Sequence, residues 1–221
     1  FISTNKTGNS KGKYKHANFS DQVGEDSKNV ETNINELKTL HGLNDITFMN
    51  QTHSNTVLKA SKECTHLDCD AMFTEDKTIS CAVLTADCIP ILVTESSGRM
   101  IGCIHAGWRG LQSKIIENFF SKFKSISKSN FRVLLGPCIS AQNYEVSDEI
   151  FQQFSNYSER FRKNKSGNYY MDLRYIACDI LNELGITNVT ISKSCTYNDN
   201  FYSYRKDKTT GRFVSLIWFK K

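Results

Sequence analysis

Three short apolar runs in the middle of the chain restrict its fold more than any other feature. They are Cys81–Leu84, Ile89–Val93 and Met100–Ile104. Each is rich in Val, Ile and Leu, has strand length, and reads as a strand buried on both faces. Polar groups interrupt this stretch at few places: Asp87, Cys88, His105 and Arg109. A thiol beside a carboxylate, and a histidine opening onto Gly-Trp-Arg-Gly, are costly to bury unless they find partners. The chemistry of the protein is therefore expected where these strand ends meet.

The flanking segments give the fold class. Val30, Ile34, Leu37 and Leu40 recur at helical spacing and Gly42 follows as a stop, which predicts a helix. Strands are predicted over Ile46–Met49, Thr56–Leu58 and from Ala71, with a polar turn over Cys64–Asp70. Leu111–Phe123 carries Ile115, Ile116, Phe119, Phe120 and Phe123 at helical spacing and is predicted to be one helix. Phe131–Leu135 is the next strand. Ser147 is a candidate N-cap for a helix through Phe154, and Asp172 for a helix closed by Gly185. Val189–Ile191 and Phe213–Phe219 are the closing strands. Strands alternate with helices while hairpin-like neighbours also occur, so a mixed-sheet α/β fold is expected. Residues 1–221 contain no repeat or boundary, and one domain is expected.

Composition narrows the class. No apolar run approaches the ~18 residues that a membrane span needs. The chain opens on Phe1 without a signal-like pattern, and its eight cysteines form no CxxC pair or regular framework. A soluble protein of a reducing cytoplasm is expected. The net charge is +5, and it is uneven: Lys6, Lys11, Lys13 and Lys15 lie at one end, Lys206, Lys208, Arg212, Lys220 and Lys221 at the other. This reads either as a solvated surface or as a basic rim for an anionic substrate. No nucleic-acid recognition motif accompanies the charge.

Three residues stand out as metal ligands. His53 ends a strand, Cys88 follows Asp87 in the central stretch, and His105 precedes Ala-Gly-Trp-Arg-Gly110. Each alone reads as an ordinary surface or core residue. Together they are a set suited to zinc or copper that leaves a fourth position for water or substrate. Their spacing does not by itself bring them together. Asp87 reads as a structural carboxylate, as a partner orienting a ligand histidine, or as a base. Arg109 reads as an ion-pair residue or as a fork for phosphate. His66 between Cys64 and Cys69 is only faintly metal-like and reads as a surface turn.

The pattern Gln51-x-His53, Asp70-Ala71, Thr85-Ala-Asp-Cys88-x-Pro90, His105-Ala-Gly-Trp-Arg-Gly110, Gly136-Pro-Cys138-Ile, Tyr144-Glu-Val146, Asp172-Leu, Cys195-Thr and Tyr202-Ser-Tyr-Arg205 with Gly211-Arg212 resembles the laccase-domain family, also called YfiH-like. The likeness runs from about Asn5 to Phe213. Members of that family have been described as multicopper polyphenol oxidases and later as purine nucleoside phosphorylases with adenosine deaminase side activity. The resemblance implies an α/β layered sandwich with mixed β-sheets and outer helices. It also implies one Zn2+ (Cu2+ being the other metal these donors suit) on His53, Cys88 and His105. Asp87 and Arg109 are the implied catalytic residues, and Asn18, Gln51, Arg109 and Arg205 the implied substrate contacts. One departure stands in the first block: where the family has Arg-x-Gly-Gly-x-Ser, this chain has Asn5-Lys-Thr-Gly8-Asn-Ser10. Lys6 does not replace the planar fork of a guanidinium.

True laccase chemistry needs many histidine ligands for several coppers. The chain has five histidines, and two of them lie in the site blocks. The expected function is instead a zinc-dependent purine nucleoside phosphorylase acting on adenosine, inosine and S-methyl-5'-thioadenosine with phosphate, with adenosine deaminase activity. Its partners are purine nucleosides and phosphate, not nucleic acid or membrane, and a monomer or homodimer is expected. The rivals are a cysteine hydrolase or amidase using Cys88 and His105, as in cell-wall precursor editing, and a non-catalytic metal-binding protein.

Overall fold

The computed structural model describes residues 1–62 and 66–220. Its larger sheet has six strands in the order Val189–Ile191, Phe131–Leu135, Ile89–Glu95, Ile101–Ala106, Ala71–Thr74 and Val57–Lys59. The four central strands are antiparallel neighbours, and both edge strands run parallel to theirs. A smaller sheet places Ile79–Thr85 between Asp45–Thr47, parallel, and Phe213–Ile217, antiparallel. Both sheets are thus mixed.

Alternation of side chains builds the layers. Ile79, Cys81 and Val83 of the small sheet pack on Met72, Leu92, Ile101 and Cys103 of the large one. From the opposite face of the small sheet, Ala82, Val214 and Leu216 meet Leu37 of the helix Ser27–His41. The far face of the large sheet sends Ile91, Val93 and Ile104 against Phe119, Phe120, Ile176 and Ile180 of the helices Ile115–Ser121 and Leu173–Glu183. The order is helix, sheet, sheet, helix. Central strands are covered on both sides, which is why they read as unbroken apolar runs.

The predicted helix ends agree with the backbone. Asp26 accepts from the Lys28 N–H, and Gly42 closes the first helix at φ 61°. Asp172 accepts from the Tyr175 N–H, and Gly185 follows its helix at φ 78°. Ser147 precedes the helix Asp148–Gln153 in extended conformation, but its side chain makes no capping bond. Two predictions need correction. Leu111–Phe123 is two helices, Trp108–Gln112 and Ile115–Ser121, separated by Lys114 at φ 67°. The Ser113 hydroxyl donates to the Arg109 carbonyl (2.8 Å), a local bond that competes with continuation of the helix. Ile46–Met49 divides as well: Asp45–Thr47 joins the small sheet, while Met49–Asn50 pairs with Leu67–Asp68, inside the stretch read as a polar turn. Cys64 lies outside the described residues. Cys69 is buried in the inter-sheet core and His66 is exposed. The short helix Tyr204–Asp207 was not anticipated from the sequence. All seven described cysteines are free. Among the described residues, no helix is long and apolar enough to cross a membrane.

Candidate metal centre

Sheet register brings two of the predicted ligands together. His105 is the penultimate residue of its strand and lies opposite Pro90, so Cys88 falls just beyond the paired end. His53 arrives on the loop after Met49–Asn50 with φ 59°, a left-handed backbone uncommon outside glycine. One donor atom from each of His53, Cys88 and His105 lies within 4.8 Å of the others. Among the described residues this is the one group of at least three His, Cys, Asp or Glu donors close enough to share an ion. The next residue after the strand, Gly107, allows the approach: a Cβ there would sit 2.7 Å from Cys88 Sγ and 3.5 Å from His53 Cδ2.

Asp70 organises both histidines. It is fully buried at the strand start beside His105. Oδ1 accepts from the His53 N–H (3.0 Å) and lies 2.7 Å from His105 Nδ1. Oδ2 accepts from the N–H groups of Thr52 (3.2 Å) and Ser54 (2.6 Å) and from the Ser54 hydroxyl (2.8 Å). With Nδ1 facing Asp70, Nε2 is the ring nitrogen of His105 left for a ligand. The carboxylate that orients a ligand histidine is therefore Asp70 and not Asp87. Its signal in the sequence was the Asp70-Ala71 pair, quoted there without a role.

The electrostatics suit a cation. Burial alone would raise the Cys88 thiol, but the His105 and His53 rings beside it pull it down to about 6. Burial opposes charge on His105, yet the Cys88 sulfur and the Asp70 carboxylate raise it to about 9. Burial works against ionised Asp70 too, and its bonds to His105 and Ser54 nevertheless hold it below the usual carboxylate range. An acidic thiol, two imidazoles and a carboxylate behind one of them fit zinc or copper.

The three donors open into a cavity of about 950 Å³. Asp87, Arg109, Tyr144, Arg205 and Arg212 are on its wall. Asp87 has φ 101° and accepts from the Thr196 hydroxyl (2.6 Å) and from the Arg205 N–H (2.6 Å). It thereby moors the helix Tyr204–Asp207 beside Cys88. Arg205 donates through Nη1 to the Glu145 carbonyl (2.8 Å) and lies 4.8 Å from the centre of the Tyr144 ring. Arg109 is exposed and stacks on Trp108 at 4.4 Å, with no ion pair among the described residues.

Two predicted contacts are occupied inside the protein. Gln51 lines the cavity, but its amide pairs both ways with the Leu84 backbone (2.7 and 2.8 Å). Asn18 is wholly buried: Nδ2 donates to Ser20 O and Glu25 Oε2, and Oδ1 accepts from the Ser20 and Arg212 N–H groups. Its amide is saturated by these four bonds, one of which holds the Arg212 backbone. Asn5 is away from the cavity wall and donates to the Asn200 and Phe201 carbonyls. Of the basic ends, Lys208 and Arg212 reach the cavity and Lys6 to Lys15 do not. Arg212 is one of the basic residues read as a possible rim for an anion, and Tyr144 stands in a quoted sequence block to which residue type and spacing gave no role.

A family model described as multi-copper polyphenol oxidoreductase laccase matches residues 1–220. A Haemophilus influenzae protein named purine nucleoside phosphorylase is 34% identical over 100% of this chain and 93% of its own length. The Escherichia coli protein named purine nucleoside phosphorylase YfiH is 33% identical over 93% of this chain and 87% of its own. The crystal structure of Neisseria meningitidis protein NMB0706 superposes with a TM-score of 0.94 at 33% identity, covering 100% of this chain and 93% of that one. Sequence blocks, fold and donor geometry thus agree along the chain, which belongs to the multi-copper polyphenol oxidoreductase laccase family, the YfiH-like proteins.

Proposed function

We propose that the protein is a zinc-dependent purine nucleoside phosphorylase that cleaves adenosine, inosine and S-methyl-5'-thioadenosine with phosphate and also deaminates adenosine. The observation that carries this reading is the convergence of His53, Cys88 and His105 on one cavity walled by Arg109, Arg205 and Arg212. Relatives bearing the phosphorylase name support it. His53, Cys88 and His105 would hold the metal, which supplies Lewis acidity at an oxygen ligand and makes bound water acidic.

In phosphorolysis the C1'–N9 bond of the nucleoside breaks, a C1'–O bond to phosphate forms, and the leaving purine takes up a proton. We assign proton transfer to Asp87, whose two short hydrogen bonds fix the carboxylate at the cavity wall. Arg109 is assigned to the anion, because its guanidinium has a ring beneath it and no carboxylate partner among the described residues. Arg205 is assigned to substrate. Gln51 shapes the wall through Leu84. The decisive experiment is product analysis of the metal-loaded protein with adenosine and phosphate. Adenine and ribose 1-phosphate are expected; untouched adenosine, or inosine and ammonia alone, would remove the phosphorylase assignment.

One observation favours a second reading. A thiol drawn down to about 6 beside an imidazole is also a nucleophile–base pair, as a cysteine hydrolase needs. Rapid alkylation of Cys88 in metal-loaded protein, with a trapped thioester, would establish that reading over the metal site.

A further inference from the structure

The cationic groups on the cavity wall are not equivalent. Arg205 is held by Glu145 and Tyr144, and Arg109 is exposed over Trp108. Arg212 is partly buried, and its side-chain hydrogen bonds go from Nη1 to the carbonyls of its own neighbours, Thr210 and Gly211 (both 3.0 Å). Nε and Nη2 have no acceptor among the described residues, and no carboxylate forms an ion pair with the guanidinium there. By contrast, Arg160 has a bidentate carboxylate partner in Asp179.

An arginine does not shed its proton to relieve this situation. A guanidinium drawn partly out of water with no carboxylate paired to it favours an anion that can supply that pairing. The surrounding structure fixes it there. The Arg212 N–H donates to Asn18 Oδ1 (2.8 Å), and its carbonyl accepts from the Phe19 N–H (3.1 Å). Gly211 allows the close packing, since a Cβ would fall 2.8 Å from the Tyr202 ring and 2.9 Å from Asn18 Cβ. Burial lowers the pKa of Arg212, while Cys88, Asp87, Tyr204 and Tyr14 are the groups near enough to oppose that shift. The guanidinium thus stands within electrostatic reach of the Cys88 donor, preorganised and with no carboxylate in ion-pair contact among the described residues.

We propose that Arg212 binds phosphate in the cavity together with Arg109, presenting its free guanidinium edge to two phosphate oxygens beside the His53–Cys88–His105 centre. This rests on the phosphorylase reading for the identity of the anion: nucleosides are neutral, and phosphate is the anion that the reaction brings in. Asn18 acts through Arg212 as a positioning residue. The side chain at position 5, an asparagine held by Asn200 and Phe201, is not required for this contact.

The test is calorimetric titration of inorganic phosphate into the metal-loaded protein, its Arg212→Gln and Arg212→Lys variants, and Arg162→Gln as an exposed control. Metal content and melting temperature are measured on each. Arg212→Gln should weaken phosphate binding about ten- to a hundredfold with metal retained, as expected for a lost charge-assisted hydrogen-bonding partner. Arg212→Lys should fall between, because it keeps the charge and loses the fork. In turnover, the phosphate KM should rise while the adenosine KM stays near wild type. Wild-type phosphate affinity in Arg212→Gln overturns the proposal, as does a wild type that binds no phosphate, or a loss of metal that parallels the loss of phosphate. Should Arg212→Gln not fold, unchanged affinity in Arg212→Lys overturns it. Titration with adenosine 5'-monophosphate separates the two sources of a phosphate group: dependence on Arg212 for the nucleotide but not for inorganic phosphate would make this a substrate-phosphate site and refute the assignment. Protein that binds phosphate through Arg212 yet leaves adenosine and inosine intact would end the phosphorylase reading and leave the anion site standing.

Discussion

Replacing Asp70 by Asn tests whether the metal centre depends on a single buried carboxylate. The exchange is nearly isosteric but turns one acceptor oxygen into a donor. If the new amide nitrogen takes the Oδ2 side, it faces the Thr52 and Ser54 N–H groups. If it takes the Oδ1 side, it faces the His53 N–H and His105 Nδ1. His105 could relieve that second conflict by moving its proton to Nε2, which would block the nitrogen a metal needs. Either way about two buried donors or their equivalents lose a partner, at about 1–3 kcal/mol each. We expect a loss of about 3 kcal/mol in stability, or roughly 6–12 °C in Tm for a chain of this size. Zinc affinity should fall about ten- to a hundredfold, the usual effect of removing the group behind a ligand histidine. Competition with a chromophoric chelator reads the affinity, and thermal melting of metal-free protein reads the stability separately. An Asp70→Asn variant that binds zinc with the wild-type Kd and melts with the wild type would refute the reasoning. The pH dependence has a definite sign. Because the folded carboxyl is the more acidic, its contribution is present above the unfolded carboxylate range and is lost as pH falls through the lower folded value.

Four further outcomes are expected. Gly107→Ala should leave the fold intact but weaken metal binding, since the added Cβ would lie 2.7 Å from Cys88 Sγ; wild-type metal affinity would show that the sulfur has room to move. Cys88→Ala, His53→Ala and His105→Ala should lose metal and activity together, because ligands act as one unit; full metal content with activity gone in Cys88→Ala would point to a nucleophile. In metal-free protein, the rate of Cys88 alkylation should rise through about pH 6, well below an ordinary thiol, and stop when zinc is added. By the same linkage, this thiol stabilises the metal-free fold above the ordinary thiol range, and the contribution is lost as pH falls through about 6; a titration centred near that of a free thiol would contradict it. Arg109→Lys should lower activity much more than Tm, given its exposure and lack of an ion pair among the described residues; the opposite ranking would make Arg109 a structural residue.

The linear order of residues determined the central strands and most helix ends, and it singled out His53, Cys88 and His105 as candidate donors. Strands covered on both faces must be apolar throughout, so Cys81–Leu84, Ile89–Val93 and Met100–Ile104 announced themselves, and Gly42 and Asp172 act within a turn of their own positions. Where a local bond competes with periodicity, the reading failed: Ser113 and Lys114 break a helix whose apolar spacing runs on unchanged. Tertiary structure alone decided what each polar group faces. Pairing of Pro90 with His105 sets Cys88 beside that histidine, and the loop carrying His53 is drawn in by Asp70 from 17 residues away. Asn18 and Arg212, which are 194 residues apart, form one bonded unit, a pairing that no sequence pattern announces. Hydrogen bonds and charge compensation depend on distance in space and on burial, and neither is encoded in the spacing of residues along the chain.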